Sequence, residues 1–335
     1  MNISRSIIAV DSHTMGEPTR VVTGGLPNIP GKNISEKKQF LENNMDNLRK
    51  AIMLEPRGHD DMFGSIITSP VNSEADLGII FMDTGGYLNM CGHGTIGAVT
   101  VAVETGLVTI CEPETRVVLD TPAGIVRASV KVEGGRAKSV TVRNVPAFLF
   151  DKDVEIELSP YGKVKVDIAF GGSFFALVKA EDFGVKVCKD EINKLIDIGI
   201  RIRDQVNKKV KVVHPENPDI NTVDLVEISD KPTHPEAHAK NVVIFGKKQV
   251  DRSPCGTGTC AKMADLYFRR ELAIATDFVH ESILGTLFTG RLVEKAKVGP
   301  YDAVIPEITG KAFITGMNHL VIDDEDPLKY GFTLR

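Results

Sequence analysis

The chain carries one short motif twice. Met90-Cys91-Gly92-His93-Gly94-Thr95 and Pro254-Cys255-Gly256-Thr257-Gly258-Thr259 each set a cysteine just before a Gly-X-Gly-Thr turn. Each turn opens an apolar, helix-like run. The two cysteines stand about half of the 335-residue chain apart. A lone cysteine before a glycine-rich turn is more often a small buried hydrophobe than a catalyst. Core packing, however, does not require Cys, Gly, Gly and Thr in one register in both halves. The repetition therefore predicts a duplicated unit with one thiol per half. Two matched thiols facing one substrate could carry out proton chemistry on both sides of a single carbon.

The remaining sequence narrows the setting. A chain of 335 residues is long enough for two domains of ordinary size. A formal charge of −5 without long runs of one sign gives no reason to expect nucleic acid or an anionic membrane. The apolar stretch Ile7–Val10 ends at Asp11 and is too short for a signal-peptide core. No segment approaches the roughly 20 apolar residues of a membrane span. The five cysteines, Cys91, Cys111, Cys188, Cys255 and Cys260, are widely spaced and odd in number. That argues against a disulfide framework and for a cytoplasmic protein. Neither motif cysteine has the CxxC spacing of a zinc knuckle or a dithiol redox site.

Strand-like segments dominate: 7–10, 20–23, 78–82, 116–120, 125–132, 139–142, 164–170, 223–228, 241–245 and 312–314. Several alternate apolar with polar residues, as half-buried strands do. Phe40, Leu41, Met45, Leu48 and Ile52 mark one face of a first helix. Ile192, Leu195, Ile196, Gly199, Ile202 and Val206 mark another. Two more helices, 95–104 and 259–268, follow the repeated motifs. The first is small and apolar nearly all round, as a buried helix is. The expected architecture is α+β: two related domains, each many strands around a short central helix. Thr121-Pro122-Ala123-Gly124 and Val298-Gly299-Pro300 are expected as crossovers. The first domain then covers 1–122 with a C-terminal return at 301–335, and the second covers 123–300.

The motif suits acid–base chemistry. A thiol's ordinary pKa of about 8.5 falls at a helix N-terminus, where free N–H groups and the positive end of the macrodipole gather. Glycines let backbone approach a ligand closely, and the same N–H groups bind anions. Each copy thus offers a partly activated thiol beside a carboxylate cradle. Cys111 and Cys188 lack glycine partners and read as incidental. Cys260, one turn into the second helix, reads as core.

At these residues the chain resembles the proline racemase family of cofactor-independent amino-acid racemases and epimerases. The resemblance also runs through Asp11-Ser12-His13-Thr14, the segment from Glu55 to Gly64, Phe170-Gly171-Gly172-Ser173-Phe174, and Asp251-Arg252-Ser253 ahead of the second cysteine. It implies strand barrels around central helices, like those of diaminopimelate epimerase, with the active site in the cleft between domains. It implies that Cys91 and Cys255 are the catalytic pair, one removing the α-proton as thiolate while the other protonates the opposite face. Backbone N–H groups of Gly92, His93, Gly256 and Thr257 would hold the substrate carboxylate, and Asp251 the ring ammonium. No cofactor or metal is expected. The expected partners are proline, as a small-molecule substrate, and a second copy of the chain in a homodimer.

Family relatives diverge at recognisable places. The related 3-hydroxyproline dehydratases typically carry Ser or Thr at the first cysteine; here it is Cys91. Phe63 and Phe245 match the pocket phenylalanines of proline racemases, where 4-hydroxyproline epimerases generally carry smaller or polar residues. An apolar wall leaves a 4-hydroxyl without a partner, at a cost on the order of 1–3 kcal/mol. His93 is not shared by both motifs, so it reads as a main-chain contact with a supporting role rather than the common base. His214, His234, His238, His280 and His319 show no metal-ligand spacing and read as surface or packing residues. A 4-hydroxyproline 2-epimerase, a non-catalytic amino-acid-binding protein and a thiol redox protein are the alternatives.

Overall fold

The chain folds as two compact units, Met1–Val142 with Gly310–Arg335, and Arg143–Thr309. The computed structural model describes residues 3–334. The first unit contains β1 (Ile3–Thr14), β2 (Glu17–Gly24), α1 (Ile34–Asn44), α2 (Asp46–Met53), β3 (Phe63–Thr68), β4 (Leu77–Asp83), β5 (Tyr87–Leu88), α3 (Gly92–Glu104), β6 (Glu114–Thr121), β7 (Gly124–Glu133) and β8 (Arg136–Arg143). The second contains β9 (Phe148–Leu158), β10 (Gly162–Phe170), β11 (Phe174–Lys179), α4 (Ile192–Lys209), β12 (Val223–Asp230), β13 (Ala239–Phe245), β14 (Gln249–Asp251), α5 (Gly256–Phe268), β15 (Asp277–Glu281), β16 (Leu287–Val298) and β17 (Tyr301–Gly310). The last strand, β18 (Ala312–Asp323), pairs antiparallel with β1 and belongs to the first unit.

The duplication extends from the motif to the strand order. In the first unit β1 runs antiparallel to β2, β2 parallel to β3, β3 antiparallel to β4, β4 antiparallel to β5 and parallel to β6, and β6 antiparallel to β7. In the second, β10 to β16 repeat those senses pair for pair. A parallel pair needs a long crossover. Each unit meets that need twice with helix: α1–α2 and α3 in one, α4 and α5 in the other. The result is an α+β fold in two units of one topology. Among the described residues, no helix is long and apolar enough to cross a membrane.

Helix α3 packs against β1, β2, β3, β7 and β18, and α5 against β9, β10, β11 and β16. Every residue of α3 from His93 to Val103 is buried, as its lack of a polar face requires. The helices also begin earlier than the apolar runs suggest. The Gly-X-Gly segments form the first turns of α3 and α5, with the cysteines as N-caps.

Other boundaries differ from the sequence reading. The first predicted helix is two, broken at Met45 (φ −140°, ψ 20°). Asn44 and Asp46 flank the break, and such residues offer the backbone competing hydrogen bonds. The apolar spacing survives because Leu41, Leu48 and Ile52 enter one core. Strand β9 has no clear alternation because Asp151, Lys152 and Asp153 are all exposed. The two supposed crossovers are hairpin turns: Thr121 pairs with Gly124, and Val298 with Tyr301. The first hairpin carries the chain on into β7 and β8 and the second into β17, so the unit boundaries fall at Val142/Arg143 and Thr309/Gly310.

Candidate active site

Cys91 caps α3 from extended backbone (φ −153°, ψ 128°), and its Sγ accepts the Gly94 N–H at 3.4 Å. The first turn of a helix leaves N–H groups without intrahelical acceptors, and Gly92 and His93 lie in that turn. Thr95 anchors the cap by donating its hydroxyl to the Cys91 carbonyl at 2.7 Å. His93 is buried, and its Nδ1 lies 3.3 Å from Cys91 Sγ. The ring meets Phe63 edge-on, centroids 4.4 Å apart, and the His93 carbonyl accepts the Thr14 hydroxyl at 3.0 Å. Gly94 has no room for a side chain, because a Cβ there would fall 2.7 Å from Phe63 Cε1. Phe63 is thus pressed against the turn that carries the thiol.

Cys255 repeats the arrangement in the second unit. It caps α5, and its Sγ accepts the Gly258 N–H at 3.4 Å. Thr257, in the place of His93, lies with its Oγ1 3.8 Å from the sulfur. The backbone differs from the first copy. Cys255 has φ 61° and ψ 109°, a conformation costing about 1–3 kcal/mol outside glycine. Its neighbours hold it there. The Pro254 carbonyl accepts from Asn241 Nδ2 at 2.9 Å and Thr259 Oγ1 at 3.1 Å, and the Cys255 N–H donates to Ser253 Oγ at 3.1 Å. Asp251 Oδ1 in turn accepts the Ser253 hydroxyl at 2.7 Å and its N–H at 2.8 Å. Asp251 is therefore a buried member of the chain of bonds leading to the second cysteine. Phe245 closes β13 two residues beyond Val243. The two share a strand face, and Val243 packs in one cluster with Cys255.

The electrostatics of Cys255 depart from the expected activated thiol. Burial, first, and then the negative charge of Asp251 push its pKa well above the usual thiol range, against the smaller help of the Gly258 N–H and Thr257. The helix N-terminus alone does not offset the loss of water. Cys260 is fully buried and pushed up to about 12 by that burial, as an inert core thiol. Cys111 is exposed and Cys188 half-buried. His214 is largely buried against Phe148 and Phe170, and His280 is fully buried. Among the described residues, no group of three or more His, Cys, Asp or Glu could hold a metal ion.

Sequence reasoning missed the support beneath the second motif: Glu227, Asn241, Ser253, Thr259 in its bonding role, and His280. Ser253 lies inside the quoted motif, and Glu227 interrupts the apolar run Leu225-Val226-Glu227-Ile228. Thr259 ends the motif itself, while Asn241 and His280 come from β13 and β15 and carry no local signal.

Comparison with known proteins agrees across the whole chain. The family model described as proline racemase matches residues 9–333. The proline racemase of Clostridioides difficile is 59% identical over 335 residues, covering 100% of both chains. Proline racemase A of Trypanosoma cruzi is 53% identical over 353 residues, covering 100% of this chain and 84% of that one. A crystal structure of a hydroxyproline epimerase from Agrobacterium vitis, with bound trans-4-OH-L-proline, superposes with a TM-score of 0.91 at 33% identity, covering 100% of this chain and 97% of that one.

Proposed function

Because this chain belongs to the proline racemase family of isomerases, we propose that it interconverts L- and D-proline at Cα without a cofactor, with Cys91 and Cys255 as its two acid–base groups. One observation carries the reading. Both cysteines occupy the same cap position of a helix, and each sulfur accepts the N–H three residues on at 3.4 Å. The α-hydrogen of an amino acid is a very weak acid. In this mechanism, helix-terminal N–H groups stabilise the charge that develops on the carboxylate, and Asp251 keeps the ammonium charged. One cysteine removes the proton as thiolate while the other delivers one to the opposite face; the roles exchange in the reverse direction. The high pKa of Cys255 suits a thiol that enters the reaction as the acid.

Phe63 and Phe245 form the apolar part of the pocket in this reading. A second reading, 4-hydroxyproline 2-epimerase, draws support from the A. vitis structure with its bound hydroxyproline. Phe63, buried against His93, offers no partner to a 4-hydroxyl and favours proline. The barrel form of each unit and a site in the cleft between domains come from the family resemblance and belong to the same proposal. So do the other two assignments. Five free cysteines fit the reducing cytoplasm, and exposed Ile8, Phe313 and Met317 on β1 and β18 offer an apolar face for a homodimer.

Incubation with L-proline in deuterium oxide tests the activity directly. The expected result is loss of optical rotation with deuterium uptake at Cα. Absence of exchange would leave only a binding protein, and parallel assays with hydroxyprolines separate the two enzymatic readings. Cys91→Ser and Cys255→Ser should each abolish racemisation, and substantial activity in either variant counts against the two-thiol mechanism.

A further inference from the structure

The racemisation chemistry makes no use of Glu227, yet this carboxyl group is 1% exposed and lies in the core beneath the second motif. Strand β12 sends Val226 and Ile228 into the core that α4 covers. Glu227 points the other way, paired across the sheet with Leu177 and Val243. Those two residues belong to the cluster that holds Cys255 and Ala261. Glu227 thus occupies an apolar position facing α5.

Gly258 shows how close the carboxyl comes. A Cβ there would lie 2.8 Å from Glu227 Oε2 and 3.1 Å from Cys255 Sγ. At the equivalent Gly94, the same test meets the rings of Phe63 and Phe81. The carboxyl therefore stands where the first unit has a phenylalanine, and only the second thiol has it.

Both Glu227 oxygens are buried and, among the described residues, meet only the Asn241 amide, at poor hydrogen-bond geometry. His280, fully buried on β15, places Nε2 3.8 Å from Oε1 and Nδ1 3.0 Å from Thr259 Oγ1. From α5, Lys262 favours the ionised carboxylate and Asp265 opposes it; from β13, the Asn241 amide favours it. Asp251 on β14 acts on Cys255 itself. Leu177 on β11 and Val243 on β13 bring no charge. Burial outweighs these groups and raises the Glu227 pKa to about 8, while burial and then Lys262 lower that of His280 to about 3. Both groups are then uncharged at neutral pH.

We propose that Glu227 is a positioning residue for Cys255: with His280 it forms a buried pair that fills the space beneath Gly258 with a polar group without adding a second negative charge to that of Asp251. A carboxylate there would oppose the Cys255 thiolate across a few ångströms of low dielectric. Loss of the Glu227 proton at alkaline pH therefore holds back Cys255 and leaves Cys91 unaffected. The inference concerns the cysteine assigned a catalytic role above, but it is read from thiol reactivity. Its failure and that of the racemase reading are separable.

Iodoacetamide alkylation, resolved by peptide mass spectrometry across the neutral to alkaline range, tests it. In Glu227→Gln, Cys255 should react about tenfold or more faster than in the unmodified protein above pH 8 or so, with Cys91 as the unchanged internal control. A purely structural role would alter melting without moving the Cys255 profile relative to Cys91. An unchanged Cys255 profile, or an equal shift of both cysteines, overturns the proposal. Infrared spectra of the unmodified protein need no folded variant. A protonated-carboxyl stretch that persists at neutral pH and disappears near pH 8 is expected, and its absence at neutral pH overturns the proposal as well.

Discussion

The Nδ1 of His93 lies 3.3 Å from the sulfur of Cys91, whereas Thr257 keeps its hydroxyl 3.8 Å from the sulfur of Cys255. Two copies of one motif therefore present chemically different thiols. Cys91 is half-buried beside an imidazole, and Cys255 is buried beside carboxyl groups.

Replacing the imidazole should expose that difference. His93→Thr makes the first motif match the second. Proton-transfer partners typically contribute about 10²–10⁴-fold, and a supporting ring should fall at the low end. The expected outcome is a kcat loss of about 10²-fold and slower iodoacetamide alkylation of Cys91, with Cys255 unaffected. Equal alkylation of Cys91 in both proteins would show that the contact does not tune the thiol.

Gly258→Ala inserts a methyl group 2.8 Å from Glu227 Oε2 and 3.1 Å from Cys255 Sγ. Overpacking of this kind costs about 1–3 kcal/mol, and racemisation should fall at least tenfold. Gly86→Ala is the control, since a Cβ there meets nothing within 4 Å and the position has no left-handed φ. Its stability should stay within about 0.5 kcal/mol of the parent. Denaturant titration of both variants checks the contrast.

Acid stability should depend on Glu281. Burial raises the pKa of its carboxyl, but donors outweigh that effect: the Thr233 hydroxyl, the N–H groups of His234 and Thr233, and Lys240 bring it down to about 2. Its folded pKa is below the unfolded value of 4.5. Its contribution is therefore fully present above about pH 4.5 and lost as pH falls towards 2. The size is on the order of 3 kcal/mol. Glu281→Gln should lower stability at neutral pH and flatten the stability profile between pH 4.5 and 2, as read by urea unfolding at each pH.

Phe63→Ser should trade substrates. The ring lies against His93 and Phe81, so its removal opens polar space beside the first motif. The expected result is a lower kcat/KM for proline and a rise, relative to proline, for trans-4-hydroxyproline. An unchanged ratio would place Phe63 in the core rather than the pocket. The truncation also costs about 3–5 kcal/mol of packing, so the ratio, rather than either rate, is the readout.

Much of the fold could be read locally. The apolar face from Ile192 to Val206 became α4, and the alternation of Val164, Val166 and Ile168 became β10. Elements with charged exposed faces were harder. β9 and β16 were not anticipated, because exposed charged residues such as Asp151, Lys152 and Asp153, and Glu294 and Lys295, interrupt the period of two; β3, β11 and β17 were missed because they are largely buried and show no alternation. The duplicated motif was legible because glycine and cysteine at fixed spacing have few other uses.

Spacing along the chain was sufficient to identify the repeat, the buried helices behind it and the cysteines that begin them, because caps and helix faces are set by residues a few positions apart. Only the folded structure placed Phe63 against His93, and Glu227 and His280 beneath Cys255. Those neighbours arrive from strands far apart in sequence, through pairing and crossover, and they determine burial. Burial, rather than the helix terminus that the sequence reveals, sets how readily the second thiol gives up its proton.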